Sequence, residues 1–261
     1  MKYGITGCLD RLSLLKTIGF DFVEPAASSI TKMPEEEFKA LQQNLLDHHI
    51  PAPAFNMFFP SDLKTTGQQV DFKGIAEYLH KCLGRCKKLG GKILVYGSGG
   101  SRKVPDGFEH DRAWQQLVTF FMFAGDIASK YDIVIVIEPL YKKNTNIINS
   151  VGEGLEICRQ INHPNIRLLA DSFHMIHENE NPEIILEAGT EYLHHIHIRD
   201  EAEGFPLEKD RSYFDRFLSA LNQIGYNRTI SYEVSSRKLT LEEFESQASR
   251  SLKLIKSLVE N

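Results

Sequence analysis

Four side chains of metal-ligand type recur through the second half of the chain: Glu138, Asp171, His197 and Glu233. They are 33, 26 and 36 residues apart, and each closes a short apolar run: IVIVIEPL, IRLLADSFH, LHHIHIRD and TISYEV. Three carboxylates and an imidazole gathered at one place repel unless protons or a cation neutralise them. One divalent ion does this. Three oxygen donors with one nitrogen suit Mn2+, Mg2+ or Co2+ better than a closed structural zinc, with Zn2+ a further candidate. The ion would polarise a carbonyl or hydroxyl oxygen beside Glu138 and Glu233. Those two glutamates could then move a proton α to a carbonyl through an enediolate, with no organic cofactor.

Such residues work together only if strands lie side by side and end at one rim. The runs 3–6, 22–25, 52–56, 93–96, 133–138, 166–171, 194–198 and 229–234 read as strands. Several are continuously apolar, as expected of parallel strands covered by helices. Helical patterns occupy 34–48, 71–89, 111–130, 151–161, 213–224 and 241–258. Pro34 followed by three glutamates suits a first helical turn, and Gly19, Gly90 and Gly225 stand where helices should stop. Eight strands in 261 residues give about 33 residues per βα unit. That predicts a single (β/α)8 TIM barrel, one α/β domain over 1–261. A doubly wound sheet is disfavoured, because no GxGxxG follows the first strand. Barrel chemistry sits at the C-terminal strand ends, and neighbouring strands are about 4.8 Å apart, so the four residues line one side of the mouth.

Other polar residues have two readings each. His195 shares a strand face with His197 but lies deeper, which suits an interior histidine with its hydrogen bonds met; His194 points to the other face. His174, in the loop after the sixth strand, could reach a substrate oxygen, whereas His163 and His177 read as surface or loop histidines. The segment YGSGGSRKVPDGF follows the fourth strand. Its glycines would let backbone N–H groups approach an anion, and Arg102 could clamp a phosphate or carboxylate; otherwise it is a flexible loop with solvated charges. Glu24 closes the second strand as a rim candidate or a structural residue. Trp114 reads as packing.

Composition removes several classes. A net charge of −5 leaves no electrostatic footprint for nucleic acid. Asp10, Arg11 and Lys16 interrupt the first apolar stretch, so no secretory signal is expected, and the most apolar runs, such as 117–124 and 133–137, are too short to span a membrane. Cys8, Cys82, Cys86 and Cys158 form no CxxC pair, as in a reduced, cytoplasmic protein.

With these motifs in hand, the chain resembles the sugar phosphate isomerase/epimerase group of xylose isomerase-like barrels. That group includes ketose 3-epimerases, hydroxypyruvate isomerase and inosose dehydratase. The resemblance spans essentially the whole chain, carried by EPLYKKNTNIINSV, HPNIRLLADSFHM, HHIHIRD and the segment 225–234. It implies that Glu138, Asp171, His197 and Glu233 hold one divalent ion, with Glu138 and Glu233 as the acid–base pair and His174 on substrate oxygens. It also implies a homo-oligomer. Asn144 stands where the ketose 3-epimerases carry a glutamate, and Glu203 where they carry an arginine. Both departures argue against a free hexulose as substrate. They make Asn144 and the nearby Arg199 candidate substrate contacts, Arg199 being otherwise an exposed loop arginine.

The expected activity is isomerisation or epimerisation of a small sugar or related polyhydroxy carbonyl compound. An alternative is dehydration of an inosose-type ketone or sugar acid. An AP-site endonuclease would need further ligands at earlier strand ends, where Thr6, Asn56 and Tyr96 stand. A non-catalytic sugar-binding barrel would have lost its glutamates, and both are present.

Overall fold

The computed structural model describes residues 1–235 and 239–260. Its strands are β1 (Lys2–Thr6), β2 (Phe22–Glu24), β3 (Ala54–Phe55), β4 (Ile93–Tyr96), β5 (Val134–Ile137), β6 (Ile166–Asp171), β7 (Leu193–Ile198) and β8 (Thr229–Tyr232). All pairings are parallel, in the order β2-β1-β8-β7-β6-β5-β4-β3. No ladder joins β2 to β3. The ring closes there through an Ala26–Asn56 bridge, with the Val23 amide donating to the Pro51 carbonyl and the Asn56 amide to the Pro25 carbonyl. Prolines explain this weak seam. Pro25, Pro51 and Pro53 lack amide hydrogens, so they shorten both strands, and the expected 52–56 run contracts to two residues. The architecture is the (β/α)8 barrel expected from strand spacing.

The six long helical patterns form Glu35–Asp47, Phe72–Lys88, His110–Ser129, Val151–Ile161, Arg211–Gln223 and Leu241–Val259. Asp71, Ser150 and Thr240 cap three of them, each accepting a backbone N–H from the first turn. Leu12–Ile18 ends at Gly19, whose φ of 100° suits a residue without Cβ. Sequence periodicity does not show the shorter helices Ala27–Lys32, Gly99–Arg102, Ser172–His177 and Ile184–Tyr192. Helices of at most nine residues, the longest of them broken at Gly189, carry too few apolar repeats to register. Among the described residues, no helix is long and apolar enough to cross a membrane.

The inward strand faces set up the site. Val95, Val136 and Leu169 form a small apolar cluster separate from the large core between sheet and helices. Side chains alternate along a strand, so the inward residue two positions later is Gly97 after β4, Glu138 after β5 and Asp171 on β6. The same step leads from His195 to His197 on β7 and from Ser231 to Glu233 after β8. Asp171 pairs with His197, and His197 with Ser231, so the polar layer is in register across the strands.

Candidate active site

Glu138, Asp171, His197 and Glu233 converge as the spacing predicts. Each offers a ligand atom, and these atoms lie within 4.8 Å of one another. Backbone bonding fixes the two glutamates: the Glu138 amide donates to the Tyr96 carbonyl, and the Glu233 amide to the Ile198 carbonyl, both at 3.1 Å. Asp171 also caps Ser172–His177. Its Oδ1 accepts the Phe173 amide at 2.8 Å, which turns Oδ2 toward the cluster. Gly97 makes room for Glu138, because a Cβ there would overlap Glu138 Oε2.

The electrostatics of this group are unbalanced. Burial, reinforced by the neighbouring Glu138 and Asp171 carboxylates, pushes the Glu233 carboxyl up to about 8, against the pull of His197 and Arg199. His197 is held well above its usual value. Burial opposes its charge, but the carboxylates of Glu24, Glu138 and Glu233 prevail. Three oxygen-donor side chains and an imidazole, already convergent and crowded with negative charge, fit a divalent ion. Such an ion would supply the missing positive charge.

Behind the cluster runs a hydrogen-bonded chain. His197 turns Nδ1 to Glu138 Oε1 at 3.2 Å and Nε2 to Glu24 Oε1 at 3.0 Å. The other Glu24 oxygen meets His195 Nε2 at 2.9 Å, and His195 Nδ1 meets Thr229 Oγ1 at 2.7 Å. Glu24 is fully buried and lines no part of the cavity, so of its two readings it takes the structural one, and the reading as a rim residue open to substrate is corrected. It orients the imidazole that faces the three carboxylates, as a carboxylate behind a metal-bound histidine would. His195 is the interior histidine expected of it.

Arg102 is a second correction. It is fully buried. Nη2 donates to the carbonyls of Glu138 at 2.8 Å and Ile148 at 3.3 Å, and Nη1 to that of Tyr96 at 3.3 Å. Its three partners are strand-end and loop carbonyls, so it braces β4 against β5 and cannot clamp a substrate anion. The turn Gly99–Arg102 points the guanidinium inward, a direction the loop's composition does not encode.

A cavity of about 770 Å³ opens above Glu138 and Glu233. His174, Arg199 and Asn144 line it, so these three substrate-contact candidates share one cavity with the two glutamates. His174 sits on the Ser172–His177 helix rather than in a loop. Its Nδ1 accepts the Tyr141 amide at 3.3 Å, and burial lowers its pKa, which favours a neutral ring. Arg199 is a cavity residue and not an exposed loop arginine. Its Nη2 lies 3.1 Å from Glu233 and 3.4 Å from Asp171, and its guanidinium carbon 4.1 Å over the Phe173 ring. Glu203 is elsewhere, bonded to Ser235. Sequence reasoning missed the opposite wall, where Ser28, Lys32, Met57 and Asp62 stand. It also missed Asn56, whose amide donates to Glu233 Oε1 at 3.4 Å. A polar residue at the end of the third strand was the available signal.

The ring of strands with an acid–imidazole cluster at its mouth makes this a barrel with a candidate metal site, and comparison with known proteins supplies its class. Residues 12–258 match the xylose isomerase-like TIM barrel model, and the chain belongs to that family. An L-ribulose 3-epimerase of Methylomonas sp. is 30% identical over 227 residues, covering 85% of this chain and 76% of that protein. An inosose isomerase of Bacillus velezensis is 25% identical over 252 residues, covering 89% and 86%. Among solved structures, D-psicose 3-epimerase from Clostridium cellulolyticum H10, crystallised with D-tagatose, superposes with a TM-score of 0.88 at 19% identity, covering 99% of both chains. The IOLI protein, solved with a bound zinc atom, gives 0.70 at 22% identity, covering 99% and 96%. The chain is accordingly an enzyme of the isomerase/epimerase class.

Proposed function

We propose that this enzyme interconverts small polyhydroxy carbonyl compounds by proton transfer through an enediolate, with Mn2+ as its resident ion. The observation that carries this reading is the placement of Glu138 and Glu233. They come from different strands, both line the cavity, and both belong to the convergent ligand set. A divalent ion held by Glu138, Asp171, His197 and Glu233 would supply the positive charge that stabilises an enediolate. One glutamate removes the proton from carbon. The other returns a proton, to the opposite face for an epimer, or to the adjacent carbon for an isomer while the hydroxyl proton passes to the former carbonyl oxygen. His174 and Arg199 hold substrate oxygens, and Asn144 meets the substrate at the mouth. The epimerase and inosose isomerase relatives support a sugar or cyclic polyol as substrate. Asn144 and Glu203, which depart from the ketose 3-epimerase pattern, weigh against a free hexulose.

Incubation of Mn2+-loaded protein with pentuloses, hexuloses and inososes in D2O tests the proposal. Deuterium gained at carbon with no change in composition is the expected result. A product lighter by one water would replace isomerisation with dehydration at the same site.

A further inference from the structure

Arg199 is fixed in place. Its side chain is 14% exposed, its guanidinium lies over Phe173, and its amide and carbonyl both bond the Ser172 hydroxyl, at 3.0 and 2.9 Å. Ser172 opens the short helix that Asp171 caps, so Arg199 and Asp171 are clamped to the same turn. Nη2 then reaches Asp171 Oδ2 at 3.4 Å and Glu233 Oε2 at 3.1 Å, bridging β6 to β8. Asp171 turns one oxygen, Oδ2, toward the cluster, since Oδ1 accepts the Phe173 amide. A divalent ion and the guanidinium therefore draw on the same Oδ2. A guanidinium keeps its charge at any working pH, so it repels such an ion throughout.

We propose that Arg199 is a resident counter-cation: it keeps Asp171 and Glu233 together and, by sharing their oxygens, lowers the affinity of the site for its divalent ion. The inference rests on the metal reading of this site. It makes Arg199 a positioning residue as well as a substrate contact. The ion is held exchangeably, and the carboxylate cluster stays assembled when it leaves.

The test compares the full chain with Arg199→Met, which keeps bulk over Phe173, and Arg199→Lys, which keeps a cation without the planar fork. Mn2+ affinity is measured by calorimetry, and melting is followed in chelator and in saturating Mn2+, with no substrate present. The Met variant should bind Mn2+ at least about tenfold more tightly and melt below wild type only in chelator. The Lys variant should stay within about threefold of wild-type affinity, because its charge is kept. If the Met variant folds only when loaded, the rate at which EDTA strips Mn2+ is read instead, and should fall by at least about tenfold. A Met variant with unchanged or weaker Mn2+ binding, or an unchanged stripping rate, overturns the proposal while leaving the metal reading intact. Wild-type protein that takes up no divalent ion overturns both.

Discussion

His197 belongs to two clusters built from the same residue types, and they behave in opposite ways. On its inner side, Glu24 accepts from both His195 and His197, and the histidines hold its carboxyl well below the usual range despite complete burial. One carboxylate meets two imidazoles, so each polar atom has a partner. On the outer side, three carboxylates share one imidazole and Arg199, and Glu233 is driven up to about 8. The inner group is electrostatically settled and closed to the cavity. The outer group is crowded and opens into it. Buried polar residues of identical type thus separate into support and chemistry by whether their charges are balanced.

The largest break in this contrast should come from Glu233→Gln or Glu138→Gln. Either removes one of the two proposed proton carriers and relieves repulsion, so substrate-dependent proton exchange in D2O should fall by about 10³-fold or more. The melting temperature should hold or rise. Wild-type exchange rates in both variants would end the division into support and chemistry. Glu24→Gln acts on the settled side and should show the reverse weighting. It leaves two buried imidazoles without their carboxylate, costing about 3–5 kcal/mol of stability in urea titration and weakening metal binding by about 10–100-fold. Stability equal to wild type would show that the inner chain contributes no support. Gly97→Ala has the smallest expected effect. The backbone accepts alanine there, but the new Cβ displaces the Glu138 carboxylate. Turnover should drop about tenfold with stability changed by about 1–2 kcal/mol, and unchanged kinetics would mean that Glu138 has room to shift.

The contrast also explains what the sequence discloses. Glu138, Asp171, His197 and Glu233 are legible because strand alternation and βα spacing bring residues of known period to one rim. Glu24 and Arg102 are not, since each is a polar residue at a strand end or in a glycine-rich loop, and its role depends on distant partners. Glu24 and His195 are 171 residues apart and meet only because the barrel closes. Arg102 bonds carbonyls, which every residue possesses and no sequence pattern marks. The shortness of β3 has a related cause: its apolar residues predict a longer strand, but the missing amides of Pro51 and Pro53 decide its length.

Arg102 has a practical consequence for redesign. By tying the carbonyls of Tyr96, Glu138 and Ile148 together, it makes one wall of the cavity a fixed jaw, in which an altered loop would drag Glu138 with it. Lys32, Met57 and Asp62 on the facing wall are exposed and lie outside that brace. They form the more adjustable jaw, where libraries aimed at new substrates are best built, with Asn56 kept because its amide donates to Glu233.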